Sequence, residues 1–490
     1  MIRFGSWLPD VSFYQQQSLY TAKNVIPDGE GYRPFPSFAS DSTSLPLRVR
    51  GGILARGNTG VIKTFCGTEE KLYRFDSATN SFTDISDDTY TTVTQDTFWS
   101  FAQFGDYIIA TNMSDEVRKY NFVTSPSSAS LLGGSPPKAR HVIVVKDQVV
   151  LCGLDGEEAA IQWSAINDME GWTIGTNLCD KQVFPNGGRI MAAHGGEVGY
   201  ILQERMVRLM IQAPGSPEIY QFQVISENRG CAAPRASVAV GGRIFFLAND
   251  GFYMIAGNSM KPIGDESINR WFVQNVNKQY LSRTVAGVNI IDKYVIWAFM
   301  SKDSSPSDIE NYVCDRMLIY HWPTGKWAWS DERVTTFIDA NAGLMSLEDL
   351  DVYGDLDSLP LSLDSAAYNT DQTISFLRMF DENNKIGQFE GPNQEALFEI
   401  KNIQIAPPWR QLVRRVHPVI DATDTEVSIG GHERAGDSVS WNDYVAIETN
   451  GWSHQHDSAR MHSVRVKIPA GSTWTHARGI HLDAIRDGDI

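Results

Sequence analysis

A short hairpin turn recurs six times along the first two-thirds of the chain, at intervals of 41 to 51 residues: Gly57-Asn58, Gly105-Asp106, Lys146-Asp147, Gly195-Gly196, Gly241-Gly242 and Asp292-Lys293. Gly, Asn and Asp supply the positive φ angles that tight two-residue hairpins need. Apolar β-formers follow the turns, as in Tyr107-Ile108-Ile109-Ala110, Gln148-Val149-Val150-Leu151, Gly199-Tyr200-Ile201-Leu202, Arg243-Ile244-Phe245-Phe246-Leu247 and Tyr294-Val295-Ile296-Trp297. A second, aromatic hairpin closes each repeat. Its strands run Leu72–Phe75 to Phe82, Arg118–Phe122, Ile161–Trp163 to Trp172, Arg208–Ile211 to Tyr220–Phe222, Gly251–Ile255, and Met317–Trp322 to Trp327–Trp329. Four strands repeating every ~40 to 50 residues is the spacing of a propeller blade. The pattern predicts an all-β chain with a six-bladed β-propeller over 49–335.

The flanks read differently. Residues 1–48 alternate apolar residues with prolines, in Trp7-Leu8-Pro9, Ala22-Lys23-Asn24-Val25-Ile26-Pro27 and Gly31-Tyr32-Arg33-Pro34-Phe35-Pro36, and predict an extended N-terminal arm lying along other surfaces. Residues 336–371 form an acidic crossover: Asp339, Glu348, Asp349, Asp351, Asp355, Asp357, Asp364 and Asp371 occur from 339 to 371 without a Lys or Arg among them. The spacing lacks the ligand ladder and distal Glu of a calcium loop, so a solvated crossover with Asx turns is expected. Residues 372–490 alternate in Ala396–Ile403, Val413–Ile420 and Ser463–Ile468 and predict a C-terminal antiparallel β-sandwich domain.

The 490 residues exceed what one core usually holds, which fits two domains. A formal charge of −17 argues against an ordinary electrostatic binder of nucleic acid or membrane surfaces. From 336 onward there are 24 acidic and 12 basic residues, so most of the excess lies in that part. Cys66, Cys152, Cys179, Cys231 and Cys314 are isolated, without zinc spacing, and read as buried free thiols of a chain made in a reducing compartment. The first residues show no secretory pattern, and nowhere do 18 apolar residues run together, so no membrane segment is expected.

Catalytic signatures are missing from the sequence. There is no Gly-x-Ser-x-Gly elbow, P-loop, Gly-x-Gly-x-x-Gly or His-Glu-x-x-His. His194-Gly195-Gly196-Glu197 resembles an oxyanion-hole loop but reads as a blade turn. Only Ala470–Trp474 is loosely like a sialidase Asp box, and it lies outside the repeats. His454, His456, His462, His476 and His481 cluster near the C-terminus. His454 and His456 share a strand face, with Asp457 expected on the other, and a surface cluster is favoured over a metal pair. No catalytic residue, cofactor or metal is therefore assigned. Trp409, Arg410, Arg414 and Arg415 form the most basic stretch of an acidic domain. They read either as a contact for an acidic partner or DNA phosphate, or as cross-strand partners of local Asp and Glu.

With these residues in view, the chain resembles the tail hub or nozzle proteins of short-tailed bacteriophages, also called tail tubular protein B or packaged-DNA stabilisation proteins. The matching stretches are Trp7–Asp10, Ala22–Pro27, Gly31–Pro34, Trp163–Asp168 to Trp172, Ser346–Asp351, Leu356–Pro360, Leu363–Ser365 and Gly387–Pro392. The resemblance implies a non-enzymatic virion part assembled in the host cytoplasm: a homohexameric tube below the portal-adaptor ring. It would contact tail fibre, spike or needle proteins and pass genomic DNA without sequence-specific binding. The arm and the C-terminal domain would make the ring contacts, with Trp409, Arg410, Arg414 and Arg415 as candidate assembly residues. Asp349, Asp351, Asp355 and Asp357 are candidates for a phosphate-repelling channel lining or an acidic outer surface. The alternative is a carbohydrate- or receptor-binding propeller, with Trp322, Trp327 and Trp329 as stacking aromatics.

Overall fold

The computed structural model describes residues 1–11, 18–57, 62–77, 79–91, 93, 97–213, 219–340, 377–405 and 407–487, with backbone alone at 339 and 340. Strands dominate. The described helical elements are short: Asn269–Asn275, the 3-10 segment Lys278–Arg283, and Pro306–Asn311. No described helix is long and apolar enough to cross a membrane.

Among the described residues, six antiparallel four-stranded meanders follow one another in the chain. Their first strands are Val49–Arg56, Ser100–Phe104, Ala139–Val145, Ile190–His194, Ser237–Val240 and Val285–Asn289; their last are Ser81–Asp84, Ser130–Leu131, Asp180–Val183, Tyr220–Ser226, Ser259–Pro262 and Lys326–Ser330. Each first strand packs beside the next one. After the sixth meander, Thr336–Phe337 lies between the sixth and first, and Asp339–Ala340 pairs in parallel with Ile53-Leu54. The chain thus returns to the first meander, which makes the fold propeller-like.

The apolar runs account for this packing. Gln148–Leu154 is buried along its whole length, as is Tyr294–Phe299, so these second strands are covered on both faces. Separate clusters, such as Phe65, Trp99, Phe101, Tyr120 and Phe122, fill the space between neighbouring meanders. This is sheet-on-sheet packing, in which side chains of facing sheets interdigitate.

Three of the six expected turns are two-residue hairpins. Gly105-Asp106, Lys146-Asp147 and Gly241-Gly242 each join strands that end and begin on either side of them, with φ of +54° at Gly105, +49° at Lys146, and +54° and +70° at the glycine pair. The others differ. Gly195-Gly196 sits in a four-residue connection because its backbone pairs with the preceding meander instead: Gly196 N–H donates to Val144 O at 2.9 Å, and Lys146 N–H to Gly196 O at 2.9 Å. A Cβ at Gly195 would lie 2.0 Å from Val144 O, so only glycine permits that approach. Asp292-Lys293 closes a four-residue connection in which Asp292 N–H donates to Asn289 Oδ1 at 2.9 Å, an Asx-type turn. At Gly57-Asn58 the second residue lies outside the described set. Trp172 is on no strand: Asp180–Val183 completes that meander. Its indole is buried from a loop, against the cluster of Val142 and Leu151, with Nε1 donating to Met169 O at 2.8 Å.

The N-terminal segment is extended and paired throughout its strands. Ile2–Arg3 pairs with Gly479-Ile480, Pro36–Ser40 with Gly387–Asn393, and the hairpin Val25–Asp28/Gly31–Pro34 joins Ala477. Thr21–Lys23 has the pivotal place. It lies antiparallel to Leu397–Glu399 on one side and parallel to Trp329 on the other. The sixth meander therefore runs on through Thr21–Lys23 into Ala396–Ile403, Met461–Ile468, Glu426–His432 and Ser440–Trp441, a ten-stranded sheet. A second sheet, with Ala477–Arg486, Gln411–Ile420 and Ser453–Ala459, shares its core with the first through Val413, Val416, Ile429, Val464, Val466 and Ile480.

Candidate functional site

Asp349, Asp351, Asp355 and Asp357 lie outside the described residues. The basic stretch is described, and its side chains are engaged within the chain. Arg415 and Asp483 are register partners on adjacent strands. The Asp483 carboxylate accepts from Arg415 Nε at 2.7 Å and from Arg414 Nη2 at 3.0 and 3.1 Å. Hydrogen bonds from both guanidiniums hold the Asp483 carboxyl below the usual range. Arg410 pairs with Glu433 at 2.7 Å, and the Trp409 ring lies 3.6 Å from the Arg486 guanidinium. The arrangement is the cross-strand pairing that local acidic residues allow. The arginines' side chains are still 41–46% exposed.

The C-terminal histidines part company. His462 is buried, with Nδ1 2.9 Å from Asp457 and Nε2 3.1 Å from Gln411 O. His454 lies 3.6 Å from Glu448, and His476 lies 3.5 Å from Asp421. Among the described residues no three His, Cys, Asp or Glu side chains converge as a metal site. His194 Nε2 is 2.9 Å from Ser237 Oγ, a contact between the fourth and fifth meanders. Burial pushes the His194 pKa down to about 4, and no carboxylate partner for it is found among the described residues. The pair is thus a neutral hydrogen bond. Trp327 is buried, with Trp297 5.7 Å and Phe252 5.2 Å away, and Trp322 packs 5.7 Å from Phe245; these aromatics hold sheets together.

A different cluster emerges where the first strands of the meanders begin. A cavity of about 60 Å³, open to solvent, is lined there by Arg48, Arg50, Arg140, Arg189, Arg235 and Arg283. Five meanders contribute arginines, each close to the start of its first strand; the second contributes Thr97 and Phe98. Three carboxylates stand by the arginines: Glu69 is 3.0 Å from Arg50 and 3.8 Å from Arg48, Glu158 is 3.5 Å from Arg140 and 3.9 Å from Arg189, and Glu204 is 2.9 Å from Arg189.

Tyr312 occupies one side of this cavity. It caps the helix Pro306–Asn311 with φ +58°, a left-handed conformation that costs a non-glycine residue roughly 1 to 2 kcal/mol. Three guanidiniums lie against its ring, with Arg50, Arg283 and Arg48 carbons 3.7, 4.0 and 5.4 Å from the centroid. Such cation–π contacts offset part of the strain and hold the arginine heads in place. Arg283 Nη1 also donates to Ile309 O at 2.7 Å, and Arg48 Nη1 to Glu310 O at 2.7 Å. The cluster follows no hydrophobic alternation. Its sequence signal is an arginine recurring with the period of the turns, at 140, 189, 235 and 283.

No protein-family profile matches the chain, and no curated protein does. Among solved structures the chain is similar to the extracellular domain of a hybrid two-component system from B. thetaiotaomicron, at 12% identity and TM-score 0.36, over 60% of this chain and 39% of that one. It is also similar to YCF48 bound to a D1 peptide, at 9% identity and TM-score 0.36, over 73% of this chain and 95% of that one. The chain thus spans about two-fifths of the first of these structures. Likenesses this distant carry no argument about function.

Proposed function

We propose that this chain is a structural component of a short bacteriophage tail, built as a six-bladed propeller and a C-terminal sandwich. Six copies would form a nozzle below the portal-adaptor ring that continues the DNA channel. The observation that carries the reading is the ten-stranded sheet in which Thr21–Lys23 joins the last meander to the C-terminal sheets. A ring component under DNA pressure must transmit load between its body and its ring contacts without a hinge. A continuous hydrogen-bonded sheet with one shared core suits that task. The sequence resemblance, which covers both ends and the crossover, points the same way. Trp327 is buried, and Trp322 and Trp329 are partly buried against the same core, which favours a packing role for them over sugar stacking.

The test is immunogold labelling of particles from a lysate of the source, with the chain assayed in purified virions. Label at the short tail is expected. A chain missing from particles, with label on cells or in the medium, refutes the proposal.

A further inference from the structure

We propose that the arginine-lined cavity at the start of the first strands binds a small oxyanion bearing phosphate or carboxylate groups. This does not depend on the tail reading.

Six guanidiniums face the cavity and three glutamates stand beside them, so positive charge is left over within a chain whose net charge is −17. The excess is local, gathered from near the starts of the first strands of five meanders. Like charges gathered in a partly enclosed space repel one another more strongly than in water, and an anion between them removes that cost. The donors are also incompletely used. Arg50 and Arg283 are each 9% exposed, and the Nε of each has no hydrogen-bond partner. Buried donors left unmade are costly, and both arginines line the cavity. Planar guanidinium forks match carboxylate and phosphate oxygens in pairs, and Tyr312 holds two of these heads against its ring beforehand. Arg189, whose side chain is 42% exposed, leaves a way in from solvent.

The experiment titrates the full-length chain with sodium phosphate and, separately, sodium citrate, by calorimetry and thermal shift against sodium chloride at equal ionic strength. Saturable binding of at least one anion is expected, and the tighter of the two assigns phosphate or carboxylate chemistry. Arg50→Met and Arg283→Met should each weaken it about tenfold or more. Should those variants fail to fold, Arg189→Gln at the open mouth decides, since it should weaken binding while leaving the circular dichroism unchanged. Arg229→Gln is the control outside the cavity, paired with Asp250, and should bind as the parent does. Stabilisation that tracks ionic strength alike for all three salts overturns the proposal. So does saturable binding that the cavity variants leave unchanged.

Discussion

Substituting Phe4 asks whether the N-terminal segment is part of the C-terminal core or merely lies against it. Phe4 and Phe398 are 1% and 0% exposed, and their rings stack with centroids 4.5 Å apart and planes 8° from parallel. Tyr32 meets Phe398 edge-on at 5.5 Å, and Trp474 does so at 6.5 Å. Phe4 N–H donates to Arg478 O at 2.8 Å, continuing the pairing of Ile2–Arg3 with the last strand. Truncating a fully buried phenylalanine costs about 3 to 5 kcal/mol, transfer and cavity together. Phe4→Ala and Phe398→Ala should each fall in that range. The double variant should cost less than their sum by about 0.5 to 1.5 kcal/mol, the part belonging to the stacked pair.

A single unfolding midpoint is a poor measure for a chain of this size. Native-state hydrogen exchange resolved to peptides is better, because it reads the stability of each segment. Amides of Ala396–Ile403 and Ala477–Arg486 should exchange faster in Phe4→Ala, by about two to three and a half powers of ten where exchange reports the lost stability. Amides of the third meander, around Gln148–Leu154, should change far less. If the segment were a loosely laid arm, Phe4→Ala would act like a surface change and stay within about 0.5 kcal/mol. That result would refute the shared core.

Three further outcomes follow from local chemistry. Asp421 is held to a pKa of about 2: burial works to raise it, but the Thr475 hydroxyl and the backbone N–H groups of His476 and Thr475 prevail. Its folded value lies below the unfolded value of about 3.9, so its stabilisation is present above that pH and lost as pH falls through 2. Asp421→Asn should thus be less stable than the parent at pH 7, with the gap closing toward pH 2 in acid-unfolding curves; a gap independent of pH would contradict the assignment. All five cysteines are buried and free, and burial pushes the Cys231 and Cys314 thiols up to about 12, so the native chain should not react with a thiol reagent until denatured, when five thiols should titrate. Asp483→Asn should release Arg414 and Arg415 and delay elution from a heparin column relative to the parent; unchanged elution would show that Asp483 does not screen the charge of these arginines.

The repeat was legible because it is written twice, in turn chemistry and in strand alternation, and the two agree at Gly105-Asp106, Lys146-Asp147 and Gly241-Gly242. Where they part, tertiary pairing decides. Gly195-Gly196 carries the residues of a tight hairpin, yet its backbone bonds to the neighbouring meander, and the connection lengthens to suit. Trp172 looks like a strand aromatic, but an indole can fill a core from a loop as well as from a sheet. Thr21–Lys23 is three residues long, too short to show any period, and its partners stand more than 300 residues away.

The arginine cluster was hidden for a related reason. Strand reading attends to alternating apolar residues, whereas these arginines stand near the starts of first strands, outside that alternation. Each alone looks like an ordinary surface charge, and only closure of the ring brings them together. A repeat architecture converts one position per unit into a ring of side chains about a common point, so the same residue type at that position adds its charge each time. The second meander breaks the series with Phe98, whose ring lies 5.2 Å from His141 and 6.0 Å from the Arg235 guanidinium. An aromatic there gives Arg235 a face to rest on, while Arg48, Arg50 and Arg283 gather at Tyr312. Guanidiniums drawn from five meanders to one small cavity, three of them against an aromatic plate and one beside an opening, make the geometry of an anion-holding pocket rather than of a channel lining.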